Sequence, residues 1–381
     1  MVRVDQEARA RIRRIAEQMR RVPTLEALRR ASFWEKEGDW LRRTLQTVQT
    51  GGRASASAGA PRRVVHWNIL KGIAFDQISR LLREHEALRD ADVILLNEVD
   101  VGMARSGNRH VARELAHHLG CAWAYVPSYL ELTKGPGQDA DAPGENRLGF
   151  HGVACLTRIA PLACRAIPLP ESFDAFAFSE KRYGQRTALL VHLPGDLLVG
   201  TVHCEVRGTP AGRAAQVACL VDGVDRFSDE RGVARVLLSG DLNTHTFHRG
   251  TLGRSLRGFI RLVTTPSARL QLQFLEPWQG GREMLFDALR QAGFEVEALS
   301  DGRPTAWAPL ATIEESGPIP APLRRCLVRW VEGDDPRGRP LRLDWFMGRG
   351  VTVRGPARTV ASILEQNAPS DHAPLVLELA R

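Results

Sequence analysis

A run of branched apolar residues, Val236-Leu237-Leu238, leads through Ser239 and Gly240 to Asp241 and Asn243. A carboxylate and a carboxamide two positions apart at a strand tip can point the same way, because side chains alternate along a strand. The pattern recurs. Asn68 sits inside His66-Trp67-Asn68-Ile69-Leu70, Glu98 follows Leu95-Leu96-Asn97, and His203 follows Thr201-Val202. Asp344 is embedded between Leu343 and Trp345, and Asp371-His372 precedes Ala373-Pro374-Leu375. Buried carboxylates are costly unless paired, hydrogen-bonded or bound to a cation. A shared cation and phosphate site is one explanation for all of them. Hard oxygen donors suit Mg²⁺, with Mn²⁺ as a substitute. Such an ion polarises a phosphoryl oxygen, and two histidines near strand ends can handle protons near neutral pH.

Each residue also has an ordinary structural role. Asn68 can be a satisfied core amide, Glu98 a cap, Asp344 an ion-pair partner and His203 a packed imidazole. Their shared position at strand ends favours a site, because perturbed polar groups cluster at active sites. His245 and His248, in His-Thr-Phe-His just past Asp241, raise a zinc alternative. The other blocks of a binuclear metallophosphatase are absent, as is a Gly-Lys-[Ser/Thr] phosphate loop.

Elements that would position these residues alternate along the chain. Strands are expected at 64–70, 92–100, 152–158, 186–193, 196–204, 233–241, 341–348, 351–355 and 373–379. Helices are expected at 76–88, 108–119, 210–227 and 283–292, from apolar residues at helical spacing. Sheets covered by helices follow from that order. Residues 133–147 read as a loop, and 249–279 as an extension near the substrate entrance.

The 381 residues carry a net charge of +8 and are 43% hydrophobic, enough for a substantial core. Residues 1–63 hold 15 Lys and Arg against 7 Asp and Glu, so the remainder is neutral. Residues 6–48 read as helices, with Ile12, Ile15, Ala16 and Met19 along one side and Arg between them. Residues 49–63 read as a small-residue linker. Residues 1–60 are therefore expected as a basic helical arm and linker, able to touch a polyanion, and 61–381 as the catalytic domain. Deleting the arm is expected to spare small-substrate hydrolysis. The six cysteines form no Cys-x-x-Cys pair and read as free thiols in a reducing cytoplasm. No apolar run is long enough for a membrane span, and no secretory signal is evident.

In order, Asn68, Glu98, His203, Asp241-x-Asn243, Asp344 and Asp371-His372 resemble the motifs of the endonuclease/exonuclease/phosphatase superfamily, the deoxyribonuclease-like, magnesium-dependent phosphoesterases. The resemblance implies an α/β (α+β) fold, a four-layer sandwich of two packed β-sheets flanked by helices, with the N-terminal helical extension outside it. It implies Mg²⁺ at Glu98 with Asn68 beside it and Asp371 as an additional contact. His372, oriented by Asp344, would activate water or stabilise the phosphoryl group. Asp241 and Asn243 would position nucleophile and phosphate, Asn68, Asn243 and His203 would contact substrate, and His203 would serve as general acid. The implied activity is that of a Mg²⁺-dependent phosphoester hydrolase, first of all a phosphodiesterase attacking phosphorus with water. Nuclease action on DNA or RNA, phosphodiester cleavage of a lipid headgroup, and hydrolysis of sugar or inositol phosphates share this chemistry. The non-enzymatic alternative is a scaffold binding polyanions through the basic arm. The chain departs from the pattern at Val153, where many members carry Asn, and at Cys204-Glu205, where abasic-site endonucleases carry Pro-Asn.

Overall fold

The computed structural model describes residues 6–54, 59–178, 180–244, 264–279, 282–308, 338–365 and 367–380, together with positions 253, 257, 260 and 261. It opens with three helices, α1 (Gln6–Arg20), α2 (Leu25–Arg29) and α3 (Ser32–Gln46), followed by the short strand β1 (Gln49–Gly52). Thr24 caps α2, accepting the backbone N–H of Ala27. Next come β2 (Arg63–Asn68), α4 (Phe75–Glu84), β3 (Val93–Val101), α5 (Val111–Leu119), β4 (Ala122–Glu131) and β5 (Phe150–Thr157). β2 and β3 pair in parallel and are buried on both faces, which explains the apolar runs Val64-Val65 and Val93 to Leu96. Gly120 ends α5 in the left-handed conformation that glycine adopts without penalty.

β6 (Ala163–Pro168), β7 (Arg182–Gly184), β8 (Thr187–Leu193) and β9 (Leu197–His203) follow, then α6 (Pro210–Arg231) and β10 (Arg235–Asp241). After the helices Ser267–Leu275 and Leu285–Gln291, the chain closes with β11 (Ala306–Ala308), β12 (Arg339–Leu341), β13 (Asp344–Arg349), β14 (Arg358–Thr359) and β15 (Leu375–Glu378).

One sheet has the order β1-β4-β5-β3-β2-β15-β14, with β7 pairing onto the end of β4; a second has the order β13-β10-β9-β8-β6. Their facing sides share an apolar core that includes Val93, Leu95 and Val153 from the first and Leu189, Val199 and Leu237 from the second. The outer face of the second sheet packs Leu190, Leu198 and Leu238 against Val217, Leu220 and Leu289 of its helices. The outer face of the first packs Ile94, Leu96 and Tyr125 against α4 and α5. The result is the expected α/β sandwich of two packed sheets flanked by helices.

Three local expectations are corrected. Residues 49–52, read as linker, form an edge strand, because the backbone of Gln49 to Gly52 completes the edge of β4 from Tyr125 to Ala122. β4 itself was not expected: Pro127 interrupts its apolar run, and the structure places that proline at a bulge. Residues 351–355, read as a strand, hold only a single bridge, Val353 to Leu379. The apolar side of the N-terminal helices does not stand free either. Ile12, Ile15, Met19, Leu28, Leu41 and Leu45 are buried in the same cluster as the first sheet.

Among the described residues no helix is long and apolar enough to cross a membrane. Cys121, Cys155, Cys164, Cys204 and Cys219 are free thiols. Cys326, His245, His248 and most of 249–263 lie outside the described residues.

Candidate active site

Strand register builds the site. Parallel β2 and β3 place Asn68 level with Asn97, next to Glu98. Parallel β9 and β10 place His203 level with Asp241, and antiparallel β13 sets Asp344 on the other side of Asp241. The same edges of both sheets therefore deliver their terminal residues to one place. His372 enters just before β15, where Ser370 Oγ accepts its backbone N–H at 3.1 Å and donates to Asn68 O at 2.6 Å. Asn68, His203, Asp241, Asn243, Asp344 and His372 are buried; Glu98 is half-buried and Asp371 exposed at the mouth.

Two backbone irregularities aim side chains. The β3–β5 register shifts between Leu96 and Val99, and Glu98 within that bulge has a φ of 53°. A non-glycine residue there is strained, a cost that active sites often carry. Asn243, with a φ of 50°, donates its backbone N–H to Asp241 Oδ1 at 2.9 Å and its side-chain N–H to Cys204 O at 2.9 Å. It thereby fixes the turn that presents Asp241.

Asp241 Oδ2 is the hub. Asn68 Nδ2 donates to it at 3.2 Å, His203 Nε2 lies 3.4 Å away, and His372 Nε2 lies 3.8 Å away. Behind His372, its Nδ1 lies 2.7 Å from Asp344 Oδ2, and Asp344 Oδ1 lies 3.0 Å from His66 Nε2. Carboxylate oxygens only accept, so both imidazoles donate to Asp344. Ser239 Oγ holds the far nitrogen of His66 at 3.1 Å, and the Asn97 side chain accepts the Asp241 N–H at 2.8 Å.

The electrostatics divide the labour. Burial, reinforced by the Asp344 charge and opposed by His372, pushes the Asp241 carboxyl up to about 7. Burial would also raise Asp344, but the His372 charge and the hydrogen bonds from His372 and His66 hold it well below the usual carboxylate range. Burial acts to neutralise His372, yet Asp344 and Asp371 hold its ring well above its ordinary value. His203 is pressed the other way, by burial and then by Arg186 and His151. The site thus holds one imidazolium, one neutral imidazole and a carboxyl that titrates near neutrality.

Glu98 tests the fit of a hard cation. Its Oε2 is buried without a hydrogen-bond partner, and Oε1 receives only Asn68 Nδ2 at 3.4 Å. Burial raises its carboxyl, but the charges of His151, Lys71, His372 and Arg186 bring it below its ordinary value, so it is ionised. An ionised buried oxygen with no donor is where a divalent ion belongs. Asp241, Asp344 and His372 also bring ligand atoms within 4.8 Å of one another. There, however, the His372–Asp344 contact is already a hydrogen bond, so that trio needs no ion. As placed, Asn68 turns its NH₂ to the carboxylates and its Oδ1 to Leu70 N at 3.2 Å, which makes it a donor rather than a metal ligand until the amide turns over.

Several residues escaped the sequence reading. His66, two positions before Asn68, carried a strand-periodicity signal. Arg186, Glu205 and Lys71 carried none, since their partners are distant in sequence, and the nearby Asp100 and Arg105 follow no strand or helix period. Asp100 takes Arg105 through two bonds of 2.8 and 3.0 Å, and also the Nδ1 of His151 at 2.8 Å. Lys71 pairs with Asp139 at 2.6 Å.

Residues 65–372 match the sequence model of the Endonuclease/Exonuclease/phosphatase family. Among solved structures, the chain is similar to the 3′ phosphatase NExo from Neisseria bound to product DNA hairpin, at 15% identity and a TM-score of 0.48, covering 84% of this chain and 100% of that one. It is similar to an AP endonuclease from Archaeoglobus fulgidus, at 13% identity and a TM-score of 0.49, over 84% and 100%. A mannosyl-6-phosphatase from Bacteroides thetaiotaomicron aligns at 13% identity and a TM-score of 0.44, again over 84% and 100%. No curated protein matches the sequence.

Proposed function

The chain belongs to the Endonuclease/Exonuclease/phosphatase family, and from that premise we propose that it is a Mg²⁺-dependent phosphodiesterase that hydrolyses its substrate by attack of water on phosphorus. The observation that carries this reading is the single oxygen Asp241 Oδ2, approached by Asn68, His203 and His372, with the same Asn68 amide reaching Glu98, whose other oxygen is orphaned.

Glu98 and Asp371 would hold the ion; bound there, it supplies charge to a phosphoryl oxygen and to the leaving group. Asp241, whose carboxyl sits near 7, takes the proton of the attacking water, since a base works best near ambient pH. Asn68 keeps Oδ2 aimed, and Asn243 fixes the turn behind it. His372, kept as imidazolium by Asp344, donates from Nε2 to the phosphoryl oxygens. His203 is neutral in the free site; a bound phosphate offsets the positive field of Arg186, so His203 takes up a proton from solvent with the substrate and passes it to the leaving oxygen.

Hydrolysis of bis-p-nitrophenyl phosphate tests the reading. The expected result is turnover with Mg²⁺ that disappears with chelator and returns with Mn²⁺. No turnover of mono- or diesters with any divalent ion would leave the family fold as a binding scaffold.

A further inference from the structure

Arg186 immediately precedes β8 next to the site, yet none of the roles above uses it. It is buried, and its Nε donates to Glu205 Oε2 at 3.3 Å. Glu205 is built to receive it. The same oxygen accepts Tyr129 O–H at 3.1 Å, the other accepts Arg207 N–H at 3.1 Å, and the Glu205 backbone N–H donates to Gln216 Oε1 at 2.9 Å. Burial raises the Glu205 carboxyl, but Arg186 and Arg182 bring it down to about 2, so the anchor is charged at every working pH. This is the glutamate of Val202-His203-Cys204-Glu205, the motif in which the chain departs from the abasic-site endonucleases.

With Nε committed, the four N–H bonds on Nη1 and Nη2 remain. They make no hydrogen bond to any described residue, and both nitrogens keep access to solvent, unlike the sealed Arg182 Nε. Donors held in a fixed fork and reached only by solvent are poised to exchange water for a ligand with two matching acceptors. Its placement follows from strand register: β8 runs antiparallel to β9 with Leu189 level with Thr201, so Arg186 lies at the end of β9 that carries His203, and its charge is felt there and at Glu98. A planar fork matches two oxygens of a phosphate group. We propose that Arg186, aimed from behind by Glu205, is the phosphoryl clamp of this site, its Nη groups donating to non-bridging oxygens of the scissile phosphate beside Glu98 and His203. This rests on the phosphodiesterase reading and adds a catalytic residue to it, with Glu205 as its positioning residue.

The test compares wild type with Arg186→Lys and Arg186→Gln, using bis-p-nitrophenyl phosphate turnover and inhibition by inorganic phosphate. Lys keeps the charge and loses the fork. Arg186→Lys is expected to lower kcat by about 10²–10³, the range for a lost oxyanion donor, and to raise the inhibition constant of phosphate at least tenfold. Free guanidinium should recover part of the Arg186→Gln loss, a rescue that a purely structural role would not give. Glu205→Gln, which leaves the fork present but unpinned, is expected to lose less than Arg186→Gln. If Arg186→Gln does not fold, Arg186→Lys decides alone. A kcat and a phosphate inhibition constant within twofold of wild type in Arg186→Lys overturn the clamp. If wild type shows no turnover, the phosphodiesterase reading fails, and calorimetric binding of inorganic phosphate with Mg²⁺ still decides: lost in Arg186→Lys supports the clamp, unchanged overturns it.

Discussion

Asp241 sets the proton balance of the site because one of its oxygens takes the Asn68 amide and faces two imidazoles while burial resists its charge. The base form is the deprotonated one, so its action is present above the folded value of about 7 and fades below it. The rate is therefore expected to fall on the acid side with a slope of one, in a limb that moves to lower pH as bound cation favours the carboxylate. A profile of kcat/KM from pH 5 to 9 checks this; a flat profile would remove Asp241 as base. His372→Ala should lower kcat by about 10²–10⁴, and Asp344→Asn should reproduce much of that loss while leaving KM near wild type. Single-turnover rates decide, and a His372→Ala kcat within twofold of wild type removes the imidazolium from the chemistry. At this scale the candidate residues Asn68, Glu98, His203, Asp241, Asn243, Asp344, Asp371 and His372 were singled out because each lies within or beside the end of an apolar strand. Arg186 and the Asp100–His151 pair were not, because an ion pair across 19 or 51 positions leaves no local pattern.

Elements turn those residues inward. The bulge at Glu98 lets β3 offer both Asn97 and Glu98 to the site, where strict alternation would hide one of them. Just beyond it Asp100, clamped by Arg105 and His151, ties β3 to β5 and to the turn at 104–106. Burial alone would raise the Asp100 carboxyl, yet Arg105 and His151 bring it from 3.8 to about 2. A depressed folded value contributes stability that is full above the unfolded value and is lost as pH falls through the folded one. Asp100 should thus contribute about 2 kcal/mol above pH 4, lost between about pH 4 and 2. Urea midpoints across that window should fall less steeply in Asp100→Asn; identical slopes would contradict the clamp. Whereas β1, β6, β7, β11 and β14 fell outside the expected ranges, the central strands were mostly readable from apolar runs. β4 was not, because a proline in a run argues against a strand unless the bulge that accommodates it is known.

At the scale of the whole molecule, the basic N-terminal region is part of the structure rather than an appendage to it. Its charge was legible; its docking was not, because arginines on the solvent side of α1 mask how much the other side buries. Ile15 and Met19 sit in the cluster that backs the first sheet, and Trp34 meets Tyr183 of β7 with ring centres 4.9 Å apart. Ile15→Ala is expected to cost about 2–5 kcal/mol, read from urea unfolding, and removal of residues 6–48 to abolish cooperative unfolding instead of sparing activity. A truncated protein with wild-type turnover would show that the sheet stands without these helices. The two sheets pack face to face, and the strand ends they bring together would let a cation at Glu98 and a base at Asp241 act on one phosphorus. The most direct measurement is the Mg²⁺ dependence of bis-p-nitrophenyl phosphate hydrolysis in wild type and Glu98→Gln. The account predicts a Mg²⁺ requirement shifted at least tenfold higher in the variant, with maximal turnover reduced. The same Mg²⁺ curve in both proteins would contradict it.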